Sequence, residues 1–192
     1  MKTLKLKAGK ERSALRGHPW IFDSAIAKGG ADAGETVRVE SETGQFLGWA
    51  AFSPTSKIRA RIWSFQEAEH IDAAFFERQV ATAVAMRSRL QVPSNGVRLI
   101  HGEADGLPGL IVDSYDGTLV AQFLSAGVER FKQVIADALL KATGLSKLYE
   151  RSDTNARALE GLSEATGWLR GEGPTDLVIE EFDAQHRWKL GL

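Results

Sequence analysis

Near residue 70 the apolar residues pass from strand spacing to helical spacing, and this change limits the fold more than any other feature. Before it, "TVRVES", "QFLGWAAFS" and "KIRARIWSF" are β-branched or aromatic runs separated by turn formers at residues 42–44 and 53–56, the signature of short strands. Residues 5–23 leave room for one short strand and one short helix in "KERSALR", ended by Gly17 and Pro19. After residue 70 the period lengthens. Residues 71–92 carry Phe76, Val80, Ala83, Val84 and Leu90 along one helical stripe, with Asp72 as the N-cap and Pro93 and Gly96 as stops. Residues 126–144 repeat the pattern through Phe131, Val134, Ile135, Ala138 and Leu139, with Gly144 as the C-cap.

Between these helices, "VRLIHGEADGLPGLIVDSYDGTLVAQFLS" divides into three strands at the turns "EADGLPG" and "YDG". A further strand follows in "LSKLYER", then a short helix or loop in "DTNARALEG", then β-like pieces in "TGWLRGE" and "LVIEEFDAQHRWKLGL". The expected fold class is therefore α+β: a small β-barrel-like unit at residues 1–66, a linker at 67–70, and a mixed α+β unit at 71–192.

Composition narrows the chemistry. The chain has no cysteine, which excludes disulfides, thiolate metal sites and a cysteine nucleophile within these residues. No apolar run is long enough to span a bilayer, and the lysine-rich start lacks the apolar core of a secretory signal. Cytoplasmic location and no membrane partner are the expectations. Charge is uneven. Residues 1–65 hold 11 Lys/Arg against 6 Asp/Glu, the rest 13 against 19. A basic first third on an acidic body suggests a localised anion-binding face, although a solvated lysine-rich terminus has the same composition.

The motifs point the same way. No Gly-x-Gly-x-x-Gly opens a helix after a strand, and there is no Walker-type Gly-Lys-Ser/Thr, so a nucleotide cofactor has no visible seat. "HGEADGLPGLIVD" gathers His101, Glu103, Asp105 and Asp113, but Asp-Gly and Pro-Gly steps make a structural hairpin the better reading than a metal or acid–base site. In "YERSD", Arg151 and Asp153 fit either a site at a strand end or a local ion pair. In "ALRGHPWIF", His18 follows Lys7, Lys10, Arg12 and Arg16, and Pro19 stiffens the step to Trp20. That company favours docking of phosphate and bases over catalysis. In "KIRARIWSF", alternation places Ile58, Ala60 and Ile62 on one face and Arg59, Arg61 and Trp63 on the other. The second set has the composition of a nucleic-acid surface.

Two stretches, "LKAGKERSALRGHPWIFDSAI" and "FLGWAAFSPTSKIRARIWSF", resemble the N-terminal PUA domain of the class I S-adenosylmethionine-dependent rRNA methyltransferases that make 5-methylcytosine in the large subunit. "RLIHGEADGLPGLIVDSYDGTLVAQFLSAGVER" and "LYERSDTNARALEGL" resemble the central α+β domain of the same family. The resemblance implies an rRNA partner; charge and company place the expected RNA contacts at Lys7, Lys10, Arg12 and Arg16, with His18 and Trp20 nearby and Arg59 and Arg61 extending the basic face. The resemblance also implies a third, Rossmann-like domain that holds S-adenosylmethionine and catalytic cysteines. That domain is expected beyond this chain, because cytosine C5 is made nucleophilic by thiolate addition at C6 and these residues include no thiol. The expected role is RNA recognition and connection, with no cofactor or catalytic residue in these residues and the missing catalytic domain as a partner. A stand-alone RNA-binding module, a split methyltransferase, and a small hydrolase using Glu103, Asp105 or Asp153 are the other readings.

Overall fold

A computed structural model describes residues 2–181 and 186–192. The first sheet has six strands: β1 (Thr3–Leu6), β2 (Trp20–Phe22), β3 (Ile26–Lys28), β4 (Thr36–Glu40), β5 (Phe46–Phe52) and β6 (Ile58–Ser64), ordered β2-β6-β5-β4-β1-β3. Its two edge strands, β2 and β3, are joined by only the 3₁₀ turn Asp23–Ala25. A sheet whose edges are tied by three residues must curl, and the result is barrel-like. Inside it lie Leu4, Leu6, Val37, Val39, Ala50 and Ile62, all essentially buried. A short helix, α1 (Arg12–Leu15), closes one end through buried Ala14.

The second sheet runs β11-β10-β9-β8-β7, from β7 (Gly96–His101), β8 (Leu110–Tyr115), β9 (Thr118–Phe123), β10 (Leu148–Ser152) and β11 (Ala165–Arg170). The turn between β8 and β9 is the Asp116-Gly117 pair, both at positive φ, with Tyr115 opposite Thr118. This is the chemistry a two-residue hairpin demands. Strands β9 and β10 are parallel, so the chain must cross over between them. It does so through α3 (Ala126–Arg130) and α4 (Lys132–Thr143). The long helix α2 (Ala73–Leu90) packs beside α4. Next come α5 (Asn155–Leu159) and a hairpin of β12 (Asp176–Glu181) with β13 (His186–Gly191). Residues 182–185 of "LVIEEFDAQHRWKLGL" lie outside the described residues.

Asp72 caps α2 as expected, its carboxylate accepting from the Phe75 N–H at 3.0 Å. Two helix boundaries differ from the pattern reading. The single helix expected over 126–144 breaks at Phe131, whose φ and ψ leave the helical well. That break lets its ring tilt onto Phe76 at 4.5 Å between centroids. The helix α2 ends not at Pro93 but at Gln91, which adopts a left-handed C-cap at φ 47°.

The largest correction concerns Trp63. It was expected outward beside Arg59 and Arg61, but it is 5% exposed and meets the Phe76 ring edge-on at 5.3 Å. The alternation along β6 holds at Ala60 and Ile62, which face the barrel, but not at Ile58, which pairs with Phe22 across an irregularity in the β2–β6 register and joins neither core. The face turned away from the small barrel is simply covered by the second unit, and Ala51 and Trp63 belong to that unit's core. The two units touch closely enough that α3 needs a glycine there. A Cβ on Gly127 would sit 2.5 Å from the Ala51 Cβ and 2.6 Å from Trp63 Cζ2. Gly127→Ala is expected to cost about 1–3 kcal/mol through forced separation of α3 from β5. Thermal unfolding would check this, and an unchanged midpoint would mean that the seam has slack.

Candidate nucleic-acid interface

The predicted basic residues fall into an exposed set and a seam set. At the exposed corner, Lys10, Arg12 and Arg16 are solvent-facing and form no ion pair among the described residues. Lys7 is also exposed, with Nζ donating to the Ser24 carbonyl at 2.9 Å, which ties β1 to the 3₁₀ turn. After α1 the chain reverses tightly: the Gly17 N–H donates to Ala14 and the His18 N–H to Ser13. Three unpaired cations on and flanking a short, well-anchored helix form a concentrated anion-attracting spot.

Beside it, β2 and the His18-Pro19 step leading into it carry a ring ladder. His18 meets Trp20 edge-to-face at 5.6 Å, and Trp20 meets Phe22 in the same way at 6.3 Å. The rings recur at every second residue because side chains alternate along a strand, with Ile21 pointing into the barrel. His18 is fixed twice, by the ring contact and by Nδ1 accepting from the Trp20 N–H at 3.2 Å. In the neutral ring this acceptor role leaves Nε2 as an outward donor. Phe22 remains 45% exposed. Trp20 is half-buried because its Nε1 donates to Glu103 of the second unit at 2.7 Å.

Arg59 and Arg61 extend from β6 on the same face as this ladder, with Trp20 directly across from Arg61. Their surroundings differ. Arg59 is half-buried and lies 3.9 Å from Asp23. Arg61 is turned into the seam, where Nη1 donates at 2.8 Å to Oε1 of buried Glu160. Arg61 is thus a connector between units first, rather than an open surface cation. Glu160 also accepts from the Ser53 hydroxyl at 2.7 Å and the Ala126 N–H at 3.3 Å, so one carboxylate ties β5, β6 and α3 together. The sequence reading missed Glu160, which lies 99 residues from its arginine.

The acidic motif is structural, as its turn chemistry suggested. Arg87 holds Asp105 through two bonds of 2.9 and 2.7 Å, and Asp105 also accepts from the His101 N–H. Arg98 holds Asp113 at 2.8 and 3.1 Å, while Glu103 serves Trp20. No cluster of metal-ligating side chains occurs among the described residues. In "YERSD", Arg151 and Asp153 approach to 3.9 Å, and the Ser152 hydroxyl accepts from the Phe123 N–H at 3.0 Å.

The crossover between β9 and β10 is where an α/β unit would seat an anionic cofactor, at the N–H groups opening its helix. Here the place is taken. The Glu160 carboxylate accepts the Ala126 N–H, and Gly127 is packed on Ala51 and Trp63. The N–H groups at this crossover are therefore not open to an anion.

Comparison with known proteins agrees with this architecture. Residues 4–65 match the family model of the PUA-like domain. The ribosomal RNA large subunit methyltransferase I of Alteromonas mediterranea is 45% identical over 180 residues, covering 92% of this chain and 45% of that protein. Its counterpart in Aliivibrio fischeri is 43% identical, covering 92% and 46%. The chain therefore spans about half the length of the curated relatives it matches. Among solved structures, a Streptococcus mutans protein described as a SAM-dependent methyltransferase superposes with a TM-score of 0.82 at 18% identity, over all of this chain and 49% of that one. A methyltransferase complexed with SAH gives 0.81 at 17% identity, over all of this chain and 48% of its own. These two show the fold: a PUA-like domain joined to a mixed α+β unit.

Proposed function

We propose that this PUA-bearing chain is the RNA-recognition and connecting portion of a large-subunit rRNA methyltransferase. The observation that carries the reading is the exposed, unpaired corner of Lys10, Arg12 and Arg16 beside the fixed ladder of His18, Trp20 and Phe22. Cations that attract phosphate next to rings that meet bases are what an RNA-docking face requires. The PUA-like match and the named activity of the relatives support the same reading. Lys7 and Arg59 extend the face, and Arg61 marks its inner end.

The finer assignment is to cytosine C5, with a single target base presented to the methyl donor. These residues do not catalyse that step by themselves. The cofactor S-adenosylmethionine supplies the methyl group, and the residues that bind it, with the attacking thiolate, belong to a catalytic domain outside these 192 residues, which contain no cysteine. The α+β unit orients that domain against the bound rRNA. Action on ribosomal RNA implies a cytoplasmic setting, and no helix among the described residues is long and apolar enough to cross a membrane.

The test is salt-dependent binding to a fragment of large-subunit rRNA. Replacing Arg12 and Arg16 together by alanine should weaken binding and lower the slope of log affinity against log salt by about one unit per arginine. His18→Ala should weaken binding modestly at an unchanged slope. An Arg12/Arg16 variant with the parent's slope would remove the docking face from consideration.

A further inference from the structure

Between β6 and α5 lies an open groove of about 600 Å³. Ile58, Leu124 and Leu159 give it apolar walls, Lys57 stands at its mouth, and Arg61 with Glu160 closes its inner end. Leu159 is 73% exposed, so neither core accounts for it. Arg61 commits Nη1 to Glu160. Its other guanidinium nitrogens have no hydrogen-bond partner among the described residues, although the side chain is only 12% exposed. The Arg61–Glu160 charges cancel, and Lys57 has no carboxylate partner among the described residues, so the groove lining carries one net positive charge.

We propose that this groove holds one unpaired nucleotide of the RNA, its base against Ile58, Leu124 and Leu159 and its phosphate at Lys57 and the free edge of the Arg61 guanidinium. The volume lies within the ordinary range for a small-molecule site. An apolar slot with one uncompensated cation and spare fork-shaped donors matches a flat base joined to a phosphate. Continuity with the ladder favours RNA as the occupant, because Trp20 sits across from Arg61 and Phe22 across from Ile58 in the β2–β6 pairing. A strand that docks on the ladder is therefore led into the groove. A base inside a duplex cannot enter, since its faces are stacked and its edge is paired. The inference rests on the RNA-recognition reading and adds its substrate class, a single-stranded segment.

The test uses the full chain with a 12-nucleotide single-stranded RNA of mixed sequence and a hairpin of equal length, read by fluorescence anisotropy. Lys57 and Leu159 are both exposed, so the double variant Lys57→Ala, Leu159→Asp should fold, which its thermal midpoint verifies. Single-stranded binding is expected to fall about tenfold, the order of one lost base contact, with hairpin binding nearly unchanged. Photo-crosslinking with 4-thiouridine in the single strand should label residues 55–61 and 156–160. Single-stranded binding equal to the parent's, with crosslinks confined to residues 7–22, would overturn the slot and leave the docking face standing. Absence of RNA binding by the parent chain would overturn both. Equal losses for single strand and hairpin would reduce the groove to general electrostatics and also overturn the slot.

Discussion

Glu160→Ala should unfold at a markedly lower temperature than the parent, and this is among the largest single-residue effects expected in the molecule. Glu160 is 3% exposed and accepts from Arg61, the Ser53 hydroxyl and the Ala126 N–H. Truncation leaves a guanidinium at the seam with no counter-charge and strands two further donors. Removing one partner of a buried pair costs about 3–5 kcal/mol, far more than a surface ion pair is worth. For a chain of this size that is a drop of roughly 6–20 °C in the unfolding midpoint. Glu160→Gln keeps acceptors for Ser53 and Ala126 and should lose less.

A double-mutant cycle separates the pair from its surroundings. Replacing Arg61 and Glu160 together by Met and Leu removes both charges and should recover much of the loss, since an apolar pair of similar volume is often as stable as the ions it replaces. If Glu160→Ala melts like the parent, the seam is not held by this carboxylate. If the double replacement is as damaging as the single one, packing around Ser53 and Ala126 matters more than charge.

This pair also shows what the sequence makes legible and what it hides. Local features were readable: the Asp72 cap, the Asp116-Gly117 turn, the barrel-facing pair Ala60 and Ile62, and the cationic run around α1 are set by residues within a few positions of each other. The turn-rich acidic motif was also readable as structure, because Asp-Gly and Pro-Gly steps declare themselves. Its cationic partners were not, since Arg87 precedes Asp105 by 18 positions. Alternation gave Arg59, Arg61 and Trp63 a shared face. It could not say that Phe76 and Glu160 would cover the inner part of that face, because coverage is decided by tertiary docking of distant segments. The break at Phe131 has the same origin: the helical period runs through it, and only the packing on Phe76 makes the kink worthwhile. The resemblance supplied the PUA assignment of the first unit and the expected RNA partner, which no periodicity contains.

A second buried cation, Arg157, should matter as much and in a pH-dependent way. It is 3% exposed. Its Nε donates to the Ser163 carbonyl at 2.6 Å, and Nη1 donates to the Phe123 carbonyl and to Glu129 at 2.8 Å. It thereby pins α5 to the end of β9, with Lys132 bridging Glu129 and buried Glu150 nearby at 2.7 and 2.9 Å. Arg157→Ala leaves two carboxylates to one lysine and is expected to cost about 3–5 kcal/mol. Lysine cannot replace it, since a point charge on a flexible stem does not span three acceptors in different directions.

The acid limb of stability carries the signature. Burial works to raise the Glu129 pKa, but hydrogen bonds from Lys132 and Arg157 outweigh it and hold the carboxyl below its ordinary value. A group whose folded pKa lies below its unfolded one stabilises the fold at neutral pH, and that contribution drains away as pH falls through the acid range. Without Arg157 the depression shrinks, so the pH-dependent part of stability between pH 7 and the acid limb should shrink with it, on top of the general loss. Urea unfolding at stepwise pH reads both. A variant that loses stability equally at every pH would place the role of Arg157 in its backbone bonds to Phe123 and Ser163 alone. Because α5 forms one wall of the groove beside Leu159, the same variant at neutral pH should also bind single-stranded RNA less tightly than its remaining stability accounts for, which links the buried charge network to the recognition surface it supports.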